Sequence, residues 1–331
     1  MSVEEVEPER SSRCLQVAVV GVGGAGNSLL SHAISEGVNP KNCVAVNTDR
    51  SQLSESQAQN KVLLADSDRF LAHRVAPFTE DSDFTILLTG LGGAMGTSAS
   101  PLIAQLNRSQ VRPVVSVVAL PFIHERERRF MALRGLKKMV EACDCTVIID
   151  NAAELRHSPG SERAADETAG FAVKGLSEVV AMGKPLVSQR MLNVLGLGQV
   201  ATVCTAFVGS NEKIQSSVID ALRMPSANLP VTKARGAVLL FRGVEPLSPG
   251  QAAHAYETIA SLVGHDVEFV HVSARSTETS SLSVFLTGYS YDTALGAFVD
   301  LIEGLYDMEY GIEAGSSEIG LPVRLYQMEG I

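Results

Sequence analysis

A chain of 331 residues with 45% apolar side chains is long enough to bury two cores, and its net charge of −10, with no long basic cluster, argues against a surface that tracks nucleic-acid phosphates. Its five cysteines, Cys14, Cys43, Cys143, Cys145 and Cys204, are odd in number and lack C-x-x-C spacing, so neither a disulfide framework nor a zinc ribbon is expected and a reducing cytoplasm fits best. No apolar run has the length of a membrane span, and the opening MSVEEVEPERSSR is charged where a signal peptide would be apolar, so neither a span nor secretion is expected.

Residues 1–14 read as a disordered arm, charged and poor in large apolar groups. A β-branched run over 17–20 suits a strand covered on both faces, and the glycine turn Gly21-Val22-Gly23-Gly24-Ala25-Gly26 leads from it into a helix opened by Asn27 and Ser28. A helix start after glycines offers unpaired N–H groups and the positive end of the dipole to an anion. The same glycines also suit close packing alone, and the spacing of Gly21, Gly23 and Gly26 fits the dinucleotide fingerprint. A strand over 43–46 ends in the polar cluster Asn47-Thr48-Asp49, at the strand end where open α/β sheets bind ligands. After a short strand over 62–65 and a polar link over 66–83, the strand over 84–88 meets a second glycine turn, from Gly90 to Ser98. That turn opens a helix with Pro101 in its first turn.

Residues 114–120 make an apolar strand, followed by Pro121, a charged run over 125–129 and a helix over 126–142. A strand over 145–149 ends at Asp150 and Asn151. The alternation over 17–151 predicts a mostly parallel, doubly wound sheet. A helix over 165–182, begun by Asp166 and Glu167 and stopped by Gly183 and Pro185, closes a first domain over 15–184. A smaller α/β domain over 185–306 is expected next, with a loop over 192–198, a short helix, strands near 205–209, 236–241, 267–273 and 282–288, and helices over 212–223, 249–263 and 293–305. The tail over 307–331 is acidic until its last residues, LPVRLYQMEGI, turn apolar.

Two glycine turns at strand-to-helix junctions are one more than a dinucleotide fold needs. At these residues the chain resembles the FtsZ family, the prokaryotic relatives of tubulin. GVGGAGNS, with Gly21, Gly23, Gly24, Ala25, Gly26 and Asn27, is similar to that family's first phosphate loop, and AVNTDRSQL, with Asn47 and Asp49, to the strand end beside it. Gly92, Gly93, Ala94, Met95, Gly96 and Thr97 stand where the family has its tubulin signature loop. PFIHERERR resembles the segment whose glutamate and arginine approach ribose and base: Glu125 takes the glutamate's place and Arg128 or Arg129 the arginine's, depending on where one gap is put. Asn151 resembles the base-contacting asparagine, and Asp166 with Glu167 the start of the long helix from which a side chain reads guanine. The chemistry is independently sensible, because a carboxylate accepts both the N1–H and the amine of guanine while adenine presents an acceptor there. The same two acids would also favour a helix start through the dipole alone.

The resemblance covers about residues 15–305. It implies an FtsZ/tubulin-like fold of a doubly wound nucleotide-binding domain, a central helix and a smaller α/β domain. It further implies GTP or GDP as the bound nucleotide, accompanied by Mg2+, filament contacts with itself or an FtsZ relative in cell division or shape, and a tail-binding adaptor for the last residues, which suit docking on their own domain equally well. Three departures lie on the triphosphate side. The signature GGGTGTG is here GGAMGTS, so Met95 puts a thioether where a hydroxyl would face phosphate, and Ala94 and Ser98 add Cβ atoms. The family's glycine-alanine loop for the terminal phosphate has no counterpart between Lys61 and Phe84, a segment read as too short for that loop and its helix. The water-positioning loop, matched to residues 192–198, has Leu195 and Gly198 where acids would fall. The expectation is a guanine-nucleotide-binding cytoskeletal protein with weak or absent hydrolysis and no nominated catalytic residue. The alternatives are an active, assembly-dependent GTPase using other residues and a nucleotide-free interaction module. No histidine spacing fits a metal site.

Overall fold

The computed structural model describes residues 15–65, 70–158, 161, 163–182, 185–209, 213–276 and 280–298. The expected arm over 1–14, the tail over 307–331 and the end of the expected last helix lie outside them. Ten strands, β1 (Val17–Val22), β2 (Cys43–Asn47), β3 (Asn60–Leu63), β4 (Phe84–Gly90), β5 (Val114–Leu120), β6 (Cys145–Asp150), β7 (Val200–Phe207), β8 (Gly236–Gly243), β9 (Glu268–Arg275) and β10 (Ser281–Tyr289), form one sheet in the order β3-β2-β1-β4-β5-β6-β7-β10-β8-β9. The strands from β3 to β7 pair in parallel, β10 runs antiparallel to β7 and β8, and β9 is again parallel to β8. The helices are α1 (Gly23–Ser35), α2 (Arg50–Glu55), α3 (Leu71–Val75), α4 (Ala94–Ser109), α5 (Arg126–Ala142), α6 (Asn151–His157), α7 (Ala164–Ala181), α8 (Pro185–Leu195), α9 (Ile214–Leu222) and α10 (Pro249–Val263), and residues 291–298 are helical as well.

Every residue of β1, β5 and β6 is buried, as expected of parallel strands covered on both faces. The core accordingly lies in two slabs: Val20 and Val22 of β1 belong to one, Val17 and Val19 to the other. The long helix α7 supplies Ala165, Ala169, Ala172, Val173 and Leu176 to the second slab. Two glycines let it approach both ends of the sheet. A Cβ on Gly170 would lie 3.2 Å from the His32 carbonyl carbon on α1, and one on Gly175 would lie 3.0 Å from Leu240 on β8. Lys174 donates to the Gly37 carbonyl at 2.6 Å, and Glu178 pairs with Arg242 of β8 at 3.1 Å.

Several local expectations are corrected. α1 starts at Gly23, ahead of Asn27, because Gly23 takes φ +73° and turns β1 directly into the helix. β3 begins two residues earlier than expected, and the link after it, read as too short for both a terminal-phosphate loop and its helix, holds a five-residue helix, α3; residues 66–69 ahead of it lie outside the described residues. α4 starts at Ala94, since Gly92 at φ +87° makes the turn and Gly93 serves as N-cap. Pro101 therefore sits inside the helix rather than in its first turn. Asn151 begins the helix α6, which hydrophobic periodicity is too short to reveal. No helix intervenes between residue 198 and β7, because Leu192 to Leu195 already complete α8.

Candidate functional site

Two helix starts face each other at the carboxyl ends of the neighbouring strands β1 and β4. Neither α1, with Val22 at its N-cap, nor α4, with Gly93, has a side-chain cap, and neither carries an acid in its first turn. By contrast, α2 is capped by Asp49, α6 by Asp150 and α10 by Ser248. The two bare starts touch: a Cβ on Gly23 would lie 3.2 Å from the Met95 Cβ. The strand order reverses here, β2 and β4 flanking β1, which is where open α/β sheets leave a crevice. Part of the glycine pattern serves packing. A Cβ on Gly26 would meet the Leu88 oxygen at 2.5 Å, and one on Gly96 the Gly90 oxygen at 2.1 Å. Gly24 and Ala25 instead face outward. Asn27 is buried; its Nδ2 donates to the Val46 carbonyl at 3.2 Å and its Oδ1 has no partner.

A cleft of about 540 Å³ runs from Ala25 and Gly90 past Pro121 and Phe122 to Glu125, Arg128 and Asn151. Glu125 is held by its own turn, accepting from the Phe122 N–H at 3.0 Å and from the Arg128 guanidinium. The gap left open in the sequence is resolved by burial. Arg128 is exposed on the cleft, whereas Arg129 is 2% exposed and donates to both Asp150 carboxylate oxygens, at 3.1 and 2.7 Å, and to the Pro121 carbonyl at 2.6 Å. Its guanidinium lies 5.6 Å from the Phe298 ring centre. Arg129, expected as a ligand residue, is therefore an internal strut: a buried charge has to be paired, and Asp150 at the strand end pairs it.

The remaining expected residues divide. Asn47 spends its side chain on the turn, donating to Gln52 Oε1 at 2.8 Å and accepting from the Thr48 N–H at 2.8 Å, and Asp49 is used as the α2 cap; neither lines the cleft. Thr97 Oγ1 accepts from the Gly92 N–H at 3.0 Å and closes the signature turn, where a Cβ on Gly92 would lie 2.2 Å from the Arg128 oxygen. Gly93 is within reach of the Arg128 side chain, 3.9 Å from a Cβ built on it, and Ala94 is exposed. Gly21 is the buried fifth residue of β1. Asp166 accepts from Ser28 Oγ at 2.6 Å and lies 3.7 Å from His32, which ties α7 to α1, while Glu167 is exposed.

Residues 192–198 are not an exposed loop. Leu195 is fully buried in α8, and Gly198 sits at φ +67° where a Cβ would meet the Gly288 carbonyl carbon at 2.5 Å, so neither position has room for an acid. Residues 183–184, which directly follow α7 in the chain, lie outside the described residues. Sequence reasoning missed Glu154, one helical turn beyond Asn151. It is buried, and burial pushes its carboxyl up to about 7; Asp150 and Glu167 push the same way, and a hydrogen bond from Thr168 opposes them. The described cysteines are buried, which pushes Cys43 and Cys143 up to about 12, so they are not poised as nucleophiles. Among the described residues no cluster of three or more His, Cys, Asp or Glu could hold a metal, and no helix is long and apolar enough to cross a membrane.

Comparison with known proteins adds the following. The family model described as Tubulin/FtsZ family, GTPase domain, matches residues 72–158. A cell division protein FtsZ of Methanothermobacter thermautotrophicus is 30% identical over 282 residues, which span 77% of this chain and 74% of that protein. Among solved structures, an empty FtsZ dimer from M. jannaschii superposes with a TM-score of 0.72 at 26% identity, covering 83% of this chain and 88% of the other. A GTPγS-bound protofilament of CetZ2 from Haloferax volcanii has a TM-score of 0.67 at 19% identity, covering 89% and 100%; at that identity the likeness shows the shared fold.

Proposed function

The chain belongs to the FtsZ family, and we propose that it is a filament-forming member that binds a guanine nucleotide in the cleft beside α1 and α4 and hydrolyses it slowly. The observation that carries this reading is the pair of converging helix starts that lack both caps and acids, in a chain whose acids outnumber its bases 37 to 27. An acidic protein that keeps carboxylates out of two adjoining dipole ends favours an anion there.

The residues present fit such a ligand. The cleft is within the usual size range of cofactor sites, roughly 300–1,000 Å³, and Asn27 Oδ1, in the second turn of α1, is buried and unpartnered. The first-turn N–H groups of α1 and α4 would hold phosphates, Glu125 and Arg128 the sugar side, and Asn151 with Glu167 the base. Because Asp166 is already bonded to Ser28, Glu167 is the better candidate to read guanine. Met95 packs against the core and offers no hydroxyl, so diphosphate and triphosphate should bind with similar affinity. Mg2+ would enter with the phosphates, which supply most of its oxygen ligands.

Slow hydrolysis now rests on a firmer observation than the identity of Leu195 and Gly198. No carboxylate occurs between Glu178 and Glu212, so whichever turn after α7 reaches the next subunit, it brings no acid to orient water. A positioned acid or base contributes roughly 10²- to 10⁴-fold to such steps. Self-association is supported by the FtsZ relative that was solved as a dimer, and a role in cell division or shape by the name of the matched relative. A second reading, an interaction module without nucleotide, draws on the contact of Met95 with Gly23, which brings the two phosphate turns together.

Heating the purified protein and separating the released nucleotide tests both readings: guanine nucleotide, mostly diphosphate, supports the first, and none after loading with excess GDP supports the second. Phosphate release should stay low as protein concentration rises. A rapid, cooperative rise would show that other residues orient the water.

A further inference from the structure

The outer face of α5 mixes cations with large apolar side chains. Phe130 and Met131 are 37% and 46% exposed, and Arg134, Lys137 and Lys138 are exposed beside them. The steps from Phe130 to Arg134 to Lys137, and from Met131 to Arg134 to Lys138, are three or four residues, which puts all five on one side of the helix. Among the described residues none of these three cations has an ion-pair or side-chain hydrogen-bond partner, in a chain whose net charge is −10.

Both flanks of this stripe are occupied. On one side stands α4, where the Thr97 methyl group would lie 2.8 Å from a Cβ on Gly135. On the other, the helical stretch 291–298 runs antiparallel to α5: the Tyr291 hydroxyl is 3.5 Å from the Leu133 carbonyl oxygen, and the Phe298 ring centre is 5.6 Å from the Arg129 guanidinium. The chain therefore leaves the described residues beside the first turn of α5, and 33 residues of the sequence follow. Those residues, 299–331, hold seven acids and one base, and the part from Asp300 to Glu318 holds six acids and no base. Leu301, Ile302, Leu305 and Tyr306 stand among the first of those acids.

We propose that the exposed stripe of α5 is a docking surface for this chain's own acidic tail, residues 299–331. Charge, composition and reach agree. The carboxylates complement three cations that repel one another when uncovered, and the apolar residues between them match Phe130, Met131 and the apolar stems of the lysines and arginine. α5 has 17 residues, about 25 Å at roughly 1.5 Å per residue, whereas 33 extended residues reach roughly 110 Å. The tail can thus reverse at the start of α5 and still meet Lys138. A segment tethered at one end of its site meets that site at about millimolar effective concentration, so contacts too weak to hold a free peptide suffice. An anionic membrane or a nucleic acid would approach against the field of the whole acidic chain and would have to displace the tail. The nucleotide plays no part in this contact.

The test is zero-length carbodiimide coupling of lysine amines to carboxylates in the full chain, read by mass spectrometry on a mixture of isotopically heavy and light protein. Lys137 and Lys138 should join acids between Asp300 and Glu318 within single chains, several-fold more often than the exposed Lys41 and Lys233 do. That excess should vanish at about 1 M salt, where the screening length falls to about 3 Å. Because the sequence has no tryptophan, Phe130→Trp supplies a single reporter. Its emission should move to the red when Arg134→Glu, Lys137→Glu and Lys138→Glu are added and the tail is released. Coupling of Lys137 and Lys138 at the level of Lys41 and Lys233 overturns the proposal, and so does an emission that the three reversals leave unchanged. Links that join heavy to light chains would assign the stripe to the tail of a second copy. Sedimentation of the full chain with vesicles of phosphatidylserine and phosphatidylcholine in equal parts, lost on the three reversals, would assign it to a membrane. Either result overturns docking within the chain.

Discussion

The starts of α1 and α2 both follow the carboxyl ends of adjacent parallel strands, yet they are finished in opposite ways. α2 receives Asp49, whose carboxylate accepts the N–H groups of Ser51 and Gln52 at 2.8 and 3.3 Å. α1 receives glycines and no acceptor, and α4 across the cleft repeats the omission. α3, α5, α7 and α9 likewise lack a side-chain cap, so what sets α1 and α4 apart is that two such starts adjoin each other beside a cleft, where a ligand can complete them. A cap is commonly worth about 1 kcal/mol, so leaving two bare is a cost that binding offsets.

The difference can be sharpened by substitution. The largest effect should come from Asp150→Ala, which removes a helix cap and strands the buried Arg129 charge. A loss of about 3–5 kcal/mol in denaturant unfolding is expected, the usual cost of breaking a buried pair. Next, Gly96→Ala should cost about 1–3 kcal/mol, because its Cβ would lie 2.1 Å from the Gly90 oxygen. Gly24→Ala, at an outward position, should leave the fold nearly unchanged; equal losses in the two would mean that both glycines serve packing alone. Asp49→Ala should cost about 1 kcal/mol with little effect on nucleotide affinity. A small effect of opposite sign lies at the other end of α4, where Val111 takes φ +60° in the position that closes the helix. Val111→Gly should raise stability by roughly 0.5–1 kcal/mol, visible as a higher Tm.

The parallel sheet was legible because its strands are unbroken apolar runs: the strands over 114–120 and 145–149 were placed within a residue of β5 and β6, and the helix over 126–142 coincides with α5. Helix starts were harder, since glycine marks a turn without saying whether the helix begins at it or after it, and α1 and α4 both begin earlier than their polar residues suggest. In the site, Glu125 and Asn151, singled out by the family resemblance alone, both line the cleft. The choice between Arg128 and Arg129 could not be made along the chain, because adjacent helical residues differ only in which way they face, and burial by Asp150 decides it. Leu195 and Gly198 were matched to a loop by order of residues alone, and a three-turn helix occupying that order displaces the match. Glu154 had no signal, since a lone glutamate in a short helix looks like any exposed acid until α7 covers it.

Ala25→Asp tests the central claim most directly. Ala25 is exposed on the cleft in the first turn of α1 and already carries a Cβ, so an aspartate there introduces a carboxylate at the bare dipole end without a new packing demand. If the two bare helix starts form the nucleotide's phosphate site, the variant should unfold at the same temperature or slightly higher, by the roughly 0.3–1 kcal/mol that an acid adds at a helix start, while its affinity for GDP in calorimetric titration falls about tenfold or more. Unchanged GDP affinity in a stably folded variant would contradict it.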